Sequence, residues 1–189
     1  MKITTNEQNH LRTISEKMDS LKSYLISKNE DYKFSICQWY IYISQFKRIM
    51  GNLNNDVSFI ACILAKQFLT AFHRISSDFD VADKPQGASG LDIDIKTVDG
   101  KRIIAEIKTT IPYKPNDLGA QQKKMFKKDF QKLNKESADH KYFFVTEEKT
   151  FQIVKNKYLE ELKGISVVLV PAALNNSKYI IRVPSDSGY

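Results

Sequence analysis

Apolar and polar positions recur with two different periods along the chain, and the switches between them set out its elements. Leu11, Ile14, Met18, Leu21 and Leu25 follow one another at spacings of three and four, predicting an amphipathic helix from about Asn6 to Ser27. Thr5 with Gln8 has the form of a capping box at its start. The stripe suits packing on the chain's own core, with a short seam to a second subunit as the alternative, since it falls short of a sustained heptad run. Lys28 to Lys33 is a polar break. Phe34 to Met50 mixes aromatic and β-branched residues, among them Trp39, Tyr40, Tyr42 and Phe46, so helix and strand are hard to separate by pattern. Gly51 suits a helix stop there, and the aromatics are read as core before base-stacking surface. Asp56 then caps an apolar helix from Val57 to about His73, with Phe59, Ile60, Ile63, Leu64, Phe68, Leu69 and Phe72 inward. His73 beside Arg74 suits a helix C-terminus better than a catalytic or metal-binding role.

The period then falls to two. Ser76 to Val81 reads as a short strand, followed by a loop, Ala82 to Gly90, punctuated by Pro85, Gly87 and Gly90. Leu91, Ile93 and Ile95 alternate with Asp92, Asp94 and Lys96, and Asp99-Gly100 predicts a type I′ turn. Ile103, Ile104, Ala105 and Ile107 form the returning strand, with Glu106 and Lys108 inserted on one face. After a loop from Ile111 to Leu118, Gly119 to about Leu133 is an amphipathic helix. Phe126, Phe130 and Leu133 line one side, and Lys123, Lys124, Lys127, Lys128 and Lys132 occupy the rest. Lys141 to Thr146 is a strand, Phe151 to Leu162 a helix, Ile165 to Val170 a buried strand, Lys178 to Val183 a last strand, and Ser185 to Tyr189 a loose tail. Strands separated by helices usually run parallel, so the order predicts an α/β fold: a mixed central sheet flanked by helices, with an N-terminal helical region. The division falls at residues 1–55 for that region, which could serve dimer contact or DNA reading or belong to the same domain, and 56–189 for the sheet-bearing core.

Composition changes this picture only modestly. Hydrophobic content of 42% with 27% charged residues is ordinary for a soluble globular protein, while a net charge of +7 tilts the expectation toward a polyanionic partner. No apolar run is long enough to span a bilayer and no secretory signal is visible, so a cytoplasmic protein is expected. Cys37 and Cys62 lie in apolar runs and read as core residues of a reducing compartment, without a zinc-type Cys-x-x-Cys pair.

The hairpin carries the candidate chemistry. Acids and a lysine among isoleucines are costly to bury without a partner or a metal. Carboxylates on adjacent strands repel, and a divalent cation relieves the repulsion. Asp92 and Glu106, with the backbone carbonyl of Ile107, are oxygen ligands suited to magnesium, and Asp94 on the same face is a second or alternative ligand. Lys108 could orient or deprotonate a water and stabilise charge on a phosphate, a combination that suits metal-assisted hydrolysis of a phosphodiester. The exposed face of an edge hairpin, its acids paired with Lys96, Lys101, Arg102 and Lys108, is the plainer reading.

Asp92, a spacer holding the turn, then Glu106-Ile107-Lys108 in an apolar strand resembles the PD-(D/E)xK nuclease superfamily, which includes many type II restriction endonucleases and some archaeal Holliday-junction resolvases. Leu91 and Ile93 stand where the motif's proline would precede an aspartate, and Asp92 is preferred because it opens an acid–apolar–any–apolar run. The resemblance implies a restriction-endonuclease-like core and magnesium-dependent cleavage of double-stranded DNA, with manganese as substitute. It also implies Asp92 and Glu106 as metal ligands and Lys108 as catalytic helper. A type II restriction enzyme acting as a homodimer, with a companion DNA methyltransferase, is the expectation. The alternatives are a structure-specific or repair nuclease and a nucleic-acid-binding protein without activity. Lys123, Lys124, Lys127 and Lys128 would hold phosphates, Thr109 could donate to one, and Gln122 (or Gln121) stands where some of these nucleases place a glutamine in the site. A second Glu-x-Lys, Glu147-Glu148-Lys149, lacks an apolar middle residue and reads as a solvated strand end.

Overall fold

The computed structural model describes residues 1–28, 34–84 and 88–184. Most of the polar break after Lys28, the loop residues Pro85 to Gly87 and the tail from Ser185 lie outside the described residues.

Five of the six strands that the sequence predicts form one sheet in sequence order: β1 (Ile93–Lys96), β2 (Arg102–Lys108), β3 (His140–Val145), β4 (Ser166–Leu169) and β5 (Ile180–Arg182). Two helices separate the central strands, α4 (Ala120–Lys135) and α5 (Glu148–Lys157). Accordingly β2–β3 and β3–β4 pair parallel, while β1–β2 and β4–β5 pair antiparallel. The fold is thus a mixed α/β sheet with helices on both faces. On one face, Ile104, Phe143, Val145 and Val167 meet Phe126, Phe130 and Leu133 of α4. On the other, Ile93, Ile103, Ala105 and Phe144 meet Ala61, Ala65, Phe68 and Leu69 of α3 (Leu53–Phe72). Strand alternation places Glu106 and Lys108 with Ile104, on the face toward α4.

Two further helices precede the sheet, α1 (Thr5–Ser27) and α2 (Ile36–Met50). Leu11 and Ile14 of α1 pack with Phe59 and Ile63 of α3, and His10 stacks on Phe59 at 3.8 Å between ring centroids. Met18 and Leu25, further along the same stripe, are exposed. The capping box sits one residue earlier than the pattern suggests. Thr4 accepts from the Glu7 backbone at 3.2 Å and the Glu7 carboxylate accepts from Thr4 N at 2.9 Å. That phase turns Glu7 inward to a fully buried ion pair with Lys66.

The ambiguity over residues 34–50 resolves to helix, opened by a capping box between Ser35 and Gln38. Its aromatics are not uniformly core. Trp39 and Tyr42 are half-buried against Phe34, whereas Ile36, Tyr40, Ile41 and Ile43 are exposed, because α2 packs chiefly on α1 and nothing among the described residues covers its outer side. Cys37 is likewise exposed and is not the core residue expected, whereas Cys62 is half-buried and packs against the core; both are free thiols. Asp56 does not cap α3. Asn52 precedes the helix, and Asp56 lies in its first turn, buried against Lys17 at 2.8 Å. Phe72, expected inward, is exposed at the end of α3.

Ser76 to Val81 is not a strand. Only an isolated bridge, Ile75 to Thr97, forms there, and the Val81 amide is taken by Glu7 at 3.0 Å instead of a neighbouring strand. The hairpin turn is also not type I′, because Gly100 takes positive φ (84°) and Asp99 does not. Thr97 O accepts from Gly100 N at 3.0 Å while Thr97 N donates to Lys101 O at 2.8 Å, the pattern of a longer loop closed by a left-handed glycine. The helix expected over 151–162 begins at Glu148, ends at Lys157 and gives way to a 3-10 turn, Leu159–Leu162.

Candidate functional site

Register decides which aspartate meets Glu106. Ile93 pairs with Ala105, so one step back along the hairpin sets Asp92 opposite Glu106. Asp92 lies just before β1, and its Oδ2 accepts from Ile107 N at 2.8 Å, which pins the carboxylate against the end of β2. Glu106 itself is 1% exposed.

α4 completes the site from above that face. Lys132 Nζ lies 2.9 Å from Glu106 Oε1 and Lys108 Nζ lies 2.7 Å from Asp129 Oδ2. Asp129 is buried, and its Oδ2 makes no hydrogen bond among the described residues: the contact with Lys108 is ionic but poorly directed. Lys132 also donates to the Gly90 carbonyl at 3.2 Å, and Lys84 donates to the Leu91 carbonyl, so two ammonium groups fasten the segment that carries Asp92. These groups line a cleft of about 660 Å³, with Lys128 on one wall and Cys62 on another. Burial, with the nearby charge of Asp92, pushes the Cys62 thiol up to about 12, which keeps it protonated and unsuited as a nucleophile.

Burial pushes Glu106 up to about 7, and the charge of Asp92 adds to the rise. The folded state therefore holds a proton that the unfolded chain releases near its ordinary 4.5. Stability attributable to Glu106 should fall as pH climbs through that window, by on the order of 1–3 kcal/mol. His73 slopes the opposite way, since burial and His140 lower it. The difference in urea-unfolding free energy between wild type and Glu106→Gln, measured at about pH 5 and about pH 8, isolates the carboxyl. A difference that does not change with pH would remove the buried acid from the account.

Asp94 is gripped by Arg102, Oδ1 to Nε at 2.9 Å and Oδ2 to Nη2 at 2.7 Å. These bonds hold its carboxyl below the usual range and leave it in a recess whose lining also includes Asp78, Asp80, Asp83 and Asp92. It does not join Glu106. Ile107 lines the cleft, whereas Thr109 is half-buried just past it. Gln122 caps α4: its side-chain oxygen accepts from Gly119 N at 2.9 Å and its amide donates to Ile111 O at 2.8 Å. Lys123 pairs with Asp117 at 2.7 Å, Lys127 lies 3.8 Å from Glu161, and Lys124 is exposed. Of the helix lysines expected to hold phosphate, Lys128 lines the cleft. Glu147 immediately precedes α5 and Glu148 and Lys149 lie in its first turn, so the second Glu-x-Lys belongs to a helix entry and not to a strand end.

Among the charged residues of the cleft, Asp129 and Lys84 are not singled out by pattern reading, which places Lys132 only on the lysine face of the helix. Asp129 had a visible signal: it falls three residues after Phe126 and four before Leu133, inside the apolar stripe of α4.

Among the described residues, no group of three His, Cys, Asp or Glu side chains is spaced to cage a metal, and no helix is long and apolar enough to cross a membrane. Compared with known proteins, the chain matches no family model, no curated protein and no solved structure.

Proposed function

We propose that the chain is a magnesium-dependent endonuclease on a restriction-endonuclease-like core, hydrolysing phosphodiester bonds in double-stranded DNA as a type II restriction enzyme. The observation that carries this reading is the register setting Asp92 across from buried Glu106, with Lys108 one step along the same face. The donor set fits the cation. Two carboxylates and the Ile107 carbonyl are hard oxygens that leave room for retained waters, and a buried Glu106 beside Asp92 is stabilised by added positive charge. Manganese would fit the same donors. When bound, the cation polarises a phosphoryl oxygen and makes a water more acidic.

The chain's own residues supply the rest. Asp92 and Glu106 would hold the cation, the former fixed by the Ile107 amide. Lys108, steadied by Asp129, faces the cleft with an ammonium that can orient a water and balance charge on the scissile phosphate. Lys128 and Lys84 on the cleft walls can hold flanking phosphates, which makes binding salt-dependent. One such centre cuts one strand, so a twofold pair of chains is proposed for both strands, with the exposed apolar side of α2 as the candidate contact. A DNA methyltransferase protecting the same sites would accompany such an enzyme.

One observation favours a second reading. Glu106 with Lys132 and Asp129 with Lys108 are ion pairs that a purely structural hairpin would also make, as in a DNA-binding protein without activity. Purified protein incubated with plasmid, phage DNA and a four-way junction, with magnesium or with EDTA, separates the readings. Discrete magnesium-dependent bands support a restriction enzyme, selective junction cutting supports a resolvase-like nuclease, and a mobility shift without cutting supports the binding protein.

A further inference from the structure

Three oxygens from three elements converge on one ammonium in the cleft. Lys132 Nζ lies 2.9 Å from Glu106 Oε1 on β2, 3.2 Å from the Gly90 carbonyl in the loop before Asp92, and 3.5 Å from Asp129 Oδ1 on α4. The acids are almost fully buried, while a third of the Lys132 side chain remains exposed, so the lysine reaches them from the open side. Lys108 is turned instead to the other oxygen of Asp129.

We propose that Lys132 is a displaceable internal counter-cation. It must leave Glu106 before a divalent cation can take that carboxylate, and it then passes to a phosphate of the nucleic acid, so that cation and DNA bind cooperatively. The proposal rests on the nuclease reading of the cleft. Two cations against one buried carboxylate repel at short range in a poorly screened site. A lysine head on four rotatable bonds can move where a backbone donor cannot. In the free protein the incoming cation must displace an existing ion pair, which weakens its apparent affinity. DNA phosphates in the cleft offer Lys132 another anion and so remove that competition, and by linkage the cation strengthens DNA binding by the same factor. A lysine that merely pins the Gly90 loop would have the opposite signature, because its loss could only loosen the site.

Manganese binding to the full chain, measured by titration calorimetry without DNA, tests this directly. Lys132→Met should bind manganese about tenfold more tightly than wild type, and Glu106→Gln should not bind it in the cleft. In EDTA, fluorescence anisotropy with a DNA duplex should show weaker binding by Lys132→Met, with a salt slope smaller by about one. Circular dichroism checks folding, and Lys132→Gln serves as the second variant. Equal or weaker manganese binding by a folded variant overturns the counter-cation, as does loss of folding in both variants. If wild type binds manganese and DNA but Lys132→Met gains nothing, the counter-cation falls and the nuclease reading stands. If wild type binds neither, both fall.

Discussion

Glu106→Gln should lower the rate of DNA strand scission by about a thousandfold or more while leaving the fold in place. The substitution keeps the shape of the side chain and removes only its capacity for charge. Because burial already raises this carboxyl to about 7, the neutral form suits its surroundings, and no loss of stability is expected near neutral pH. The loss should therefore appear in single-turnover cleavage and not in a thermal or urea melt. Structural and chemical roles separate here unusually well. A scission rate within tenfold of wild type would remove Glu106 from the site, and a collapse of stability would make it a structural residue.

The second large effect lies away from the cleft. Lys66→Ala should destabilise the protein by about 3–5 kcal/mol, measured by urea unfolding. Glu7 is 0% exposed and Lys66 3% exposed, and both carboxylate oxygens lie 2.8 Å from the ammonium. Glu7 also accepts from Thr4 N and Val81 N, so one acid joins the start of α1, the middle of α3 and the segment leading to the cleft loop. Removing the lysine leaves a buried carboxylate without its charge partner, which is far worse than never having buried the pair. The double variant Glu7→Gln with Lys66→Met should recover much of the loss, since no ion is then stranded. A single-variant loss below about 1 kcal/mol would mean that the carboxylate finds solvent.

The same pair shows where pattern reading stops. Alternation in Leu91 to Ile95 and the apolar run of Ile103 to Ile107 around Glu106 expose the hairpin, and the apolar stripe of α4 fixes which side of that helix meets the sheet. Both signals are local. Val81 looks like a strand residue because it is apolar and buried, but its amide is satisfied by an acid on a helix far away in sequence. Nothing near residue 81 announces that partner. The choice between Asp92 and Asp94 likewise turns on register: the alternation shows that they share a face, while the pairing of Ile93 with Ala105 and the grip of Arg102 on Asp94 tell them apart.

On α4 the lysines form a run, and composition treats them alike. Lys123 is drawn to Asp117, Lys127 faces Glu161, and only helix phase relative to buried Asp129 marks Lys132 as a cleft residue. Gln122 shows the reverse case, a polar residue in the right region whose donor and acceptor are both engaged by the helix start and the preceding loop. The exposed side of α2 has a third cause. Tyr40 and Ile41 have the chemistry of core residues, but only neighbouring elements can bury them, and their side of the helix carries none among the described residues.

Strand scission of supercoiled plasmid by wild type, Asp92→Asn and Asp94→Asn, each with magnesium and with EDTA, tests most directly the claim that Asp92, Glu106 and Lys108 form one metal-dependent nuclease centre. Wild type and Asp94→Asn are expected to cut in magnesium at rates within about tenfold of each other, because the Arg102 pair that Asp94 loses is a partly exposed ion pair. Asp92→Asn is expected to leave the plasmid intact, and EDTA to silence all three. Cutting by Asp92→Asn at the wild-type rate, or intact plasmid with folded wild-type protein in magnesium, would contradict the claim.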